Sequence, residues 1–381
     1  MNRHIYFDNN ATTAVEPSVL DRMIPFFTQE YGNPSNTSHA FGWAADEAVQ
    51  IAREQLAELI GADPFGIVFT SGATEAINHV IKGLGHGRTS GHIITVATEH
   101  KAVLNACECL EENGIETTYL AVDENGQISA DQVRNALRDD TFLVSVMWAN
   151  NETGVLQPIQ EIGVLLKDHP AYFFTDATQS IGKVPVLVDN IDFLACSAHK
   201  FYGPKGVGAL YIRTGKPVIS LPQLLHGGAQ ERGRRASTLN VPGIVGLGEA
   251  AHVAAEKLHE GYVVMKQQRD RFEAMLKKVF PEMDINGEHA PRLPQTSNIT
   301  FKGIRAGDMM AEIGRIAVST GSACTSGSGK PSHVLSAMGL TPEDAQGTVR
   351  FSMGRHTTDS EVDEALDLLS SFAKRLHAQP A

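Results

Sequence analysis

Ser197-Ala198-His199-Lys200-Phe201-Tyr202-Gly203-Pro204-Lys205-Gly206 is the stretch on which the fold turns, because a lysine follows the apolar run 193–196 and stands among small, phosphate-friendly residues. A lysine there can form a Schiff base. Upstream, Tyr172-Phe173-Phe174-Thr175-Asp176 reads as a buried strand ending in a carboxylate, the acid that pyridoxal phosphate (PLP) requires opposite its pyridinium nitrogen. Lysine and acid together point to that cofactor. The third element is Cys324, in Ser319-Thr320-Gly321-Ser322-Ala323-Cys324-Thr325-Ser326-Gly327-Ser328-Gly329. That run is too small and polar to bury a thiol in a core, so Cys324 reads as a thiol made to react.

Outward from Lys200, strand-like runs alternate with amphipathic helical stretches. The runs are Ile67-Val68-Phe69, Ile93-Ile94-Thr95-Val96, 117–122, 142–148, 172–175, 193–196 and 209–212. The alternation predicts an α/β fold with a mostly parallel, seven-stranded sheet wrapped by helices. Residues 44–60 form one clear helix, with Ala48, Val49, Ala52, Leu56, Leu59 and Ile60 on one face and Gly61 as C-cap. From about Pro242 the pattern changes to long helices, then strands near 298–301 and 349–352, and a closing helix over 362–376. This part reads as a smaller α+β domain. No internal repeat or low-complexity tract interrupts the chain.

Composition narrows the function. With 381 residues, 42% of them hydrophobic, the chain can bury a sizeable core in two domains. A formal charge of −12 repels phosphate backbones and anionic lipid, which argues against direct nucleic-acid binding. No run approaches the ~18 apolar residues of a membrane span, and Met1-Asn2-Arg3-His4 leads into Ile5-Tyr6-Phe7 without a signal core. A cytoplasmic protein is expected. Cys107, Cys109, Cys196 and Cys324 form no CxxC pair and no disulfide framework. No Cys/His set has zinc-finger or HExxH spacing.

Each remaining candidate has a plainer reading. Thr70-Ser71-Gly72-Ala73-Thr74-Glu75 lies between a strand and a helix predicted to begin near Glu75. It reads as a phosphate cradle at a helix N-terminus, or as an ordinary Ser/Thr cap. Ser197 and His199 can add donors to the same phosphate. His100 follows the 93–96 strand, where such folds place ligand-binding residues; a solvated turn histidine is the alternative. Asn150-Asn151 ends the 142–148 run, either as a ligand position or as a turn. Thr74, His100, Asn151 and Asp176 stand at the ends of four of these predicted strands, and that joint pattern outweighs each plain reading. Arg350, inside an apolar strand, requires an anion: an internal acid or a substrate carboxylate. Cys107, Cys109 and Cys196 read as packing residues.

With these residues in place, the chain resembles the cysteine desulfurases of the NifS/IscS type, in the class V aminotransferase group of fold-type I PLP enzymes. The resemblance runs nearly end to end. It is carried by Tyr6-Phe7-Asp8-Asn9-Asn10-Ala11-Thr12-Thr13, Gly32-Asn33-Pro34-Ser35, Thr70 to Glu75, Thr98-Glu99-His100, Asn150-Asn151-Glu152, Asp176-Ala177-Thr178-Gln179, His199-Lys200, Gly227-Gly228-Ala229-Gln230-Glu231-Arg232-Gly233 and Gly321-Ser322-Ala323-Cys324-Thr325-Ser326. It implies conversion of L-cysteine to L-alanine, with Lys200 carrying PLP, Asp176 on the ring nitrogen, Gln179 on the phenolic oxygen and His100 stacked on the ring. Ala73, Thr74, Ser197 and His199 would hold the phosphate, and Thr238 would reach the phosphate of the other subunit of a homodimer. Asn151 and Arg350 would bind the substrate carboxylate, and Cys324 would take the sulfur as a persulfide for an acceptor or scaffold protein.

The resemblance also implies a large PLP-binding domain, 14–255, and a small domain from 1–13 and 256–381 that carries the Cys324 loop. IscS-type enzymes carry a C-terminal extension that docks the cluster scaffold, whereas this sequence stops at Ala381, so docking in that manner is not expected. The residues around Met147 to Gly154 and Glu231 to Arg235 are nearer the NifS branch. Nitrogenase maturation, general iron–sulfur cluster assembly, tRNA thiolation and DNA phosphorothioation all stay open as destinations for the sulfur. A selenocysteine lyase or another class V PLP enzyme is the rival activity.

Overall fold

The computed structural model describes residues 4–320 and 331–378. After strand β1 (Ile5–Tyr6) come helices α1 (Pro17–Met23), α2 (Pro25–Thr28) and α3 (Ala40–Ile60). The main sheet then follows as β2 (Ile67–Thr70), α4 (Ala73–Gly85), β3 (His92–Val96), α5 (Lys101–Glu111), β4 (Glu116–Leu120), α6 (Ala130–Ala136), β5 (Thr141–Ser145), α7 (Ile159–Leu166), β6 (Tyr172–Asp176), β7 (Phe193–Ser197) and β8 (Gly208–Ile212). Its seven strands lie in the order β2-β8-β7-β6-β5-β3-β4. All share one direction except β8, which is antiparallel to both neighbours. The reversal has a simple cause: residues 198–207 join β7 to β8 with one short 3-10 turn (Ala198–Lys200) and no α-helix, and a parallel crossover needs a dozen or more residues.

Alternate residues of the strands divide between two cores, Phe173, Leu194 and Cys196 on one face and Phe174, Phe193 and Ala195 on the other. Helices therefore cover both faces, and the near-continuous apolar runs follow from that double burial. Helix α3 begins four residues before the expected start, because His39 caps it by accepting from Gly42 N at 3.2 Å. It ends where Gly61 turns left-handed at φ 66°, as the sequence implied.

The second part is built on α8 (Val241–Val279), β9 (Asp284–Ile285), β10 (Thr296–Thr300), α9 (Ala306–Ile313), β11 (Ile316–Ala317), α10 (His333–Ala337), α11 (Pro342–Gln346), β12 (Thr348–Ser352) and α12 (Asp359–Ala378). Strands β12-β10-β9 form a three-stranded sheet, and β1 pairs with β11. Ile5 and Phe7 join Phe272, Ile299, Phe351 and Leu369 in a separate core. Helix α8 begins among the residues of the first core (Ile244, Leu247, Ala251) and ends in this one (Phe272, Leu276). The change of pattern at Pro242 thus marks the start of a helix shared by both cores. We propose the division into 14–255 and 1–13 with 256–381 on the strength of these two cores. Among the described residues no helix is long and apolar enough to cross a membrane.

Candidate functional site

The carboxyl ends of β2, β3, β5, β6 and β7 open onto one cavity of about 310 Å³. Ten of the residues singled out from the sequence line it: Ala73, Thr74, His100, Asn151, Asp176, Gln179, Ser197, His199, Lys200 and Arg350. Two are not there. Thr238 is exposed and is not among the lining residues, and Cys324 lies outside the described residues.

At one end of the cavity α4 begins at Ala73, two residues earlier than expected, so its N-terminal N–H groups belong to the site. Ala73 N donates to Ser197 Oγ at 2.8 Å, which ties the helix start to the end of β7. Gly208 makes this approach possible, since a Cβ there would meet Gly72 Cα at 2.6 Å and Cys196 O at 2.4 Å. His199 is held at 3.1 Å from Thr12 Oγ1. Burial, with Lys200, Lys205 and Lys183 nearby, pushes His199 down to about 4, so the ring is neutral at physiological pH. A helix N-terminus with a hydroxyl and a neutral imidazole is a donor set for a phosphate.

Lys200 sits on the turn between β7 and β8, and its Nζ donates to Asn10 O at 2.7 Å and Ala11 O at 2.8 Å. Residues 8–13 form a strap that crosses from β12 to this turn: Asn10 N donates to Ser352 Oγ, and Thr13 N to His199 O, both at 2.9 Å. Two residues beyond Lys200, Tyr202 is left-handed at φ 70°. A non-glycine residue holds that conformation only when its surroundings fix it. Here Tyr202 N donates to Thr13 Oγ1 at 2.8 Å and its hydroxyl accepts from Arg355 N at 2.5 Å. Lys205, the other lysine of the stretch, is exposed and outside the cavity.

Asp176 ends β6, 6% exposed, and accepts from Thr178 N at 2.9 Å. His100 caps α5, where its Nδ1 accepts from Ala102 N at 3.1 Å. Burial and the charges of Lys200 and Lys101 outweigh Asp176 and lower its pKa. With Nδ1 accepting, the neutral ring carries its proton on Nε2. Its neighbour Glu99 is fully buried, its carboxyl pushed up by burial, and accepts from Met147 N at 2.5 Å.

The two asparagines share the two readings between them. Asn150 does the turn chemistry, its Oδ1 accepting from Glu152 N and Thr153 N at 2.8 and 3.0 Å. Asn151 lines the cavity and accepts through its carbonyl from Arg350 Nη1 at 2.8 Å. Arg350 has an internal acid and also lines the cavity. Its Nη2 lies 2.6 Å from Asp8 Oδ1, while its buried Nε has no hydrogen-bond partner. Asp8 Oδ1 also accepts from Ser319 Oγ at 2.9 Å.

Three residues bound into the site were given no role from the sequence. Asp8 and Asn10 stand in the Tyr6 to Thr13 motif quoted for the resemblance, in a polar run shortly after β1. Lys183 carried no signal beyond its type. It is 3% exposed, with its Nζ donating to Gln179 Oε1 at 3.1 Å, and Gln179 Nε2 donates to Asn10 O at 3.0 Å. Of the described cysteines, Cys107 and Cys196 are buried and their thiols are pushed up to about 12 by that burial. They are inert at neutral pH.

Comparison with known proteins gives the family. Residues 5–365 match the family model "Aminotransferase class-V". The cysteine desulfurase IscS of Rickettsia peacockii (strain Rustic) is 46% identical over 378 residues, covering 98% of this chain and 92% of that protein. A solved NifS-like protein superposes with a TM-score of 0.90 at 37% identity, covering 97% of this chain and 99% of its own. A structure of SspA in complex with cysteine gives 0.81 at 40% identity, over 93% of this chain and 100% of its own. The chain belongs to the class V aminotransferase family and, within it, to the cysteine desulfurases.

Proposed function

We propose that this chain converts L-cysteine to L-alanine with PLP in the cavity at Lys200, passes the sulfur to Cys324, and works as a homodimer. The observation that carries the reading is the convergence on one cavity of ten residues drawn from the motifs and the family resemblance. The donor set suits the cofactor: the α4 N-terminus, Thr74, Ser197 and His199 would hold its phosphate, Asp176 its ring nitrogen, Gln179 its phenolic oxygen, and the flat face of His100 its ring. When bound, PLP supplies an electron sink for the substrate Cα.

The chain's own residues then have distinct tasks. Arg350, which lines the cavity and whose Nε has no hydrogen-bond partner, receives the substrate carboxylate, with Asn151 beside it. The Lys200 amine takes the Cα proton, and its two carbonyl partners hold it in place. His100, neutral, offers or withholds a proton at Nε2. Cys324, as thiolate, attacks the substrate sulfur: an S–S bond forms, the Cβ–S bond breaks, the electron pair left toward Cβ is protonated, and the Lys200 ammonium returns its proton to Cα to give alanine. The persulfide is handed to an acceptor or scaffold protein in iron–sulfur cluster assembly or a nucleic-acid thiolation pathway.

The dimer reading rests on the surface. Phe27, Tyr31, Phe41 and Trp43 are 49–67% exposed in one stretch of chain, with the Tyr31 and Phe41 rings 5.5 Å apart. Exposed aromatics of this kind suit an interaction face. Thr238, exposed and outside its own cavity, would on this reading serve the phosphate of the neighbouring subunit.

Replacing Cys324 tests the sulfur step. Cys324→Ser should still bind PLP and L-cysteine but release almost no alanine. Mass spectrometry of cysteine-treated wild type should find added sulfur at Cys324 and none at Cys107, Cys109 or Cys196. Turnover by the serine variant at the wild-type rate rejects the persulfide route in favour of selenocysteine-lyase or β-elimination chemistry.

A further inference from the structure

Lys183 lies in the turn after β6, four residues past Gln179, and is 3% exposed. A buried lysine ordinarily finds a carboxylate or snorkels to water. This one does neither. Its hydrogen bond goes to Gln179 Oε1 at 3.1 Å, no carboxylate among the described residues pairs with it, and its charged neighbours are the cations Lys200 and Arg350. The charge of Lys183 also helps keep His199 neutral. Burial and the two cations bring Lys183 down to about 7. A methionine of similar length would fill the same space without that cost, so the nitrogen has a use.

That use is visible in the chain of hydrogen bonds. A side-chain amide can point either way, and its neighbours decide the orientation. The Lys183 amine draws Gln179 Oε1 to itself, which turns Nε2 toward Asn10 O at 3.0 Å. The same carbonyl accepts from Lys200 Nζ at 2.7 Å. We propose that Lys183 is a positioning residue, fixing the Gln179 amide with its NH₂ on the Lys200 side so that it is a donor, never an acceptor, toward the bound cofactor. This rests on the PLP reading above and goes beyond it. Without Lys183 the amide can rotate and present its oxygen to Asn10 O and to the phenolic oxygen, two acceptors it would repel.

The test is PLP binding by the apoprotein, followed by absorbance, in a double-mutant cycle of Lys183→Met and Gln179→Leu. Lys183→Met should bind PLP about five- to tenfold more weakly, the usual effect of one oriented hydrogen bond. Gln179→Leu should lose at least as much. The double variant should be no weaker than Gln179→Leu alone, because Lys183 acts only through that amide. Additive losses overturn the proposal, as does Lys183→Met binding within twofold of wild type while only its thermal midpoint falls. Should Lys183→Met not fold, Lys183→Gln, which keeps a donor at shorter reach, must retain part of the wild-type affinity. Wild-type apoprotein that takes up no PLP at Lys200 refutes the functional reading itself, a different outcome from an unaffected Lys183 variant.

Discussion

Arg350→Gln separates two accounts of the same guanidinium. Either Arg350 serves the substrate carboxylate, or it is a structural partner of Asp8 that happens to line the cavity. The replacement removes the charge but leaves strand β12 intact, since the backbone of Arg350 still exchanges hydrogen bonds with Ser319, N to O at 2.7 Å and O from N at 3.2 Å. If the guanidinium grips the carboxylate through two charge-assisted hydrogen bonds, each contributing about 1.5–3 kcal/mol, the loss is about 3–6 kcal/mol. At about 1.4 kcal/mol per tenfold, kcat/KM for L-cysteine falls by roughly 10² to 10⁴. Stability changes less. Asp8 loses its partner, but its side chain is 17% exposed and can rehydrate in part, so a cost below the ~3–5 kcal/mol of a fully buried pair is expected.

Cysteamine, which lacks the carboxylate, supplies the control. Wild type should prefer cysteine to cysteamine by a wide margin, and in Arg350→Gln that preference should collapse toward unity, with cysteamine turnover little changed. PLP occupancy should stay near wild type, because Arg350 is not part of the phosphate cradle. Arg350→Lys keeps a charge but not the planar fork, and should recover only part of the preference. A variant that loses stability yet keeps the preference for cysteine refutes the carboxylate role and leaves Arg350 as the partner of Asp8.

The other expectations follow from the same cavity. Asp176→Asn should bind PLP yet lose turnover by about a hundredfold or more, the usual scale for removing a charge aimed at the reacting system; activity within a few-fold of wild type removes Asp176 from the ring nitrogen. Mixing Thr238→Val with Lys200→Ala subunits should give a partly active hybrid, and sedimentation should show a dimer; a monomer with full PLP occupancy contradicts the shared site. His199 has a folded-state pKa of about 4, below the ~6.5 of an unfolded histidine. The unfolded chain therefore takes up the proton first, and the apoprotein should lose stability as pH falls from about 6.5 toward about 4. His199→Gln should flatten that part of the curve; equal slopes for the two proteins show that His199 is not held neutral.

How much of this was legible in the sequence depends on the range of the interaction. The strands of the main sheet were readable because burial on both faces leaves continuous apolar runs such as Val68-Phe69 and Phe193-Leu194, which depend on no distant partner. Boundaries were less so. Residues 142–148 read as one strand, yet β5 stops at Ser145, and the apolar Met147 and Ala149 face the cavity instead. The direction of β8 was written in the short connection 198–207, but length alone discloses it only once β7 and β8 are known to be neighbours.

The site divides along the same line. Asp176, His100, Asn151 and Thr74 were legible because each follows its own strand, and a parallel sheet brings carboxyl ends together whatever the intervening sequence. Asp8, Asn10 and Lys183 were not, because their roles exist only through partners far away in the chain: Asp8 meets Arg350, Asn10 meets Lys200, and Lys183 acts across Gln179 onto that same carbonyl. The strap 8–13 belongs in sequence to the start of the chain and in space to Lys200, and it pairs with β12 as well. Both cores thus fix the position of the amine. A change in how β12 packs should therefore reach Lys200 through Ser352 and Asn10, with Lys200 itself and the end of β7 unchanged.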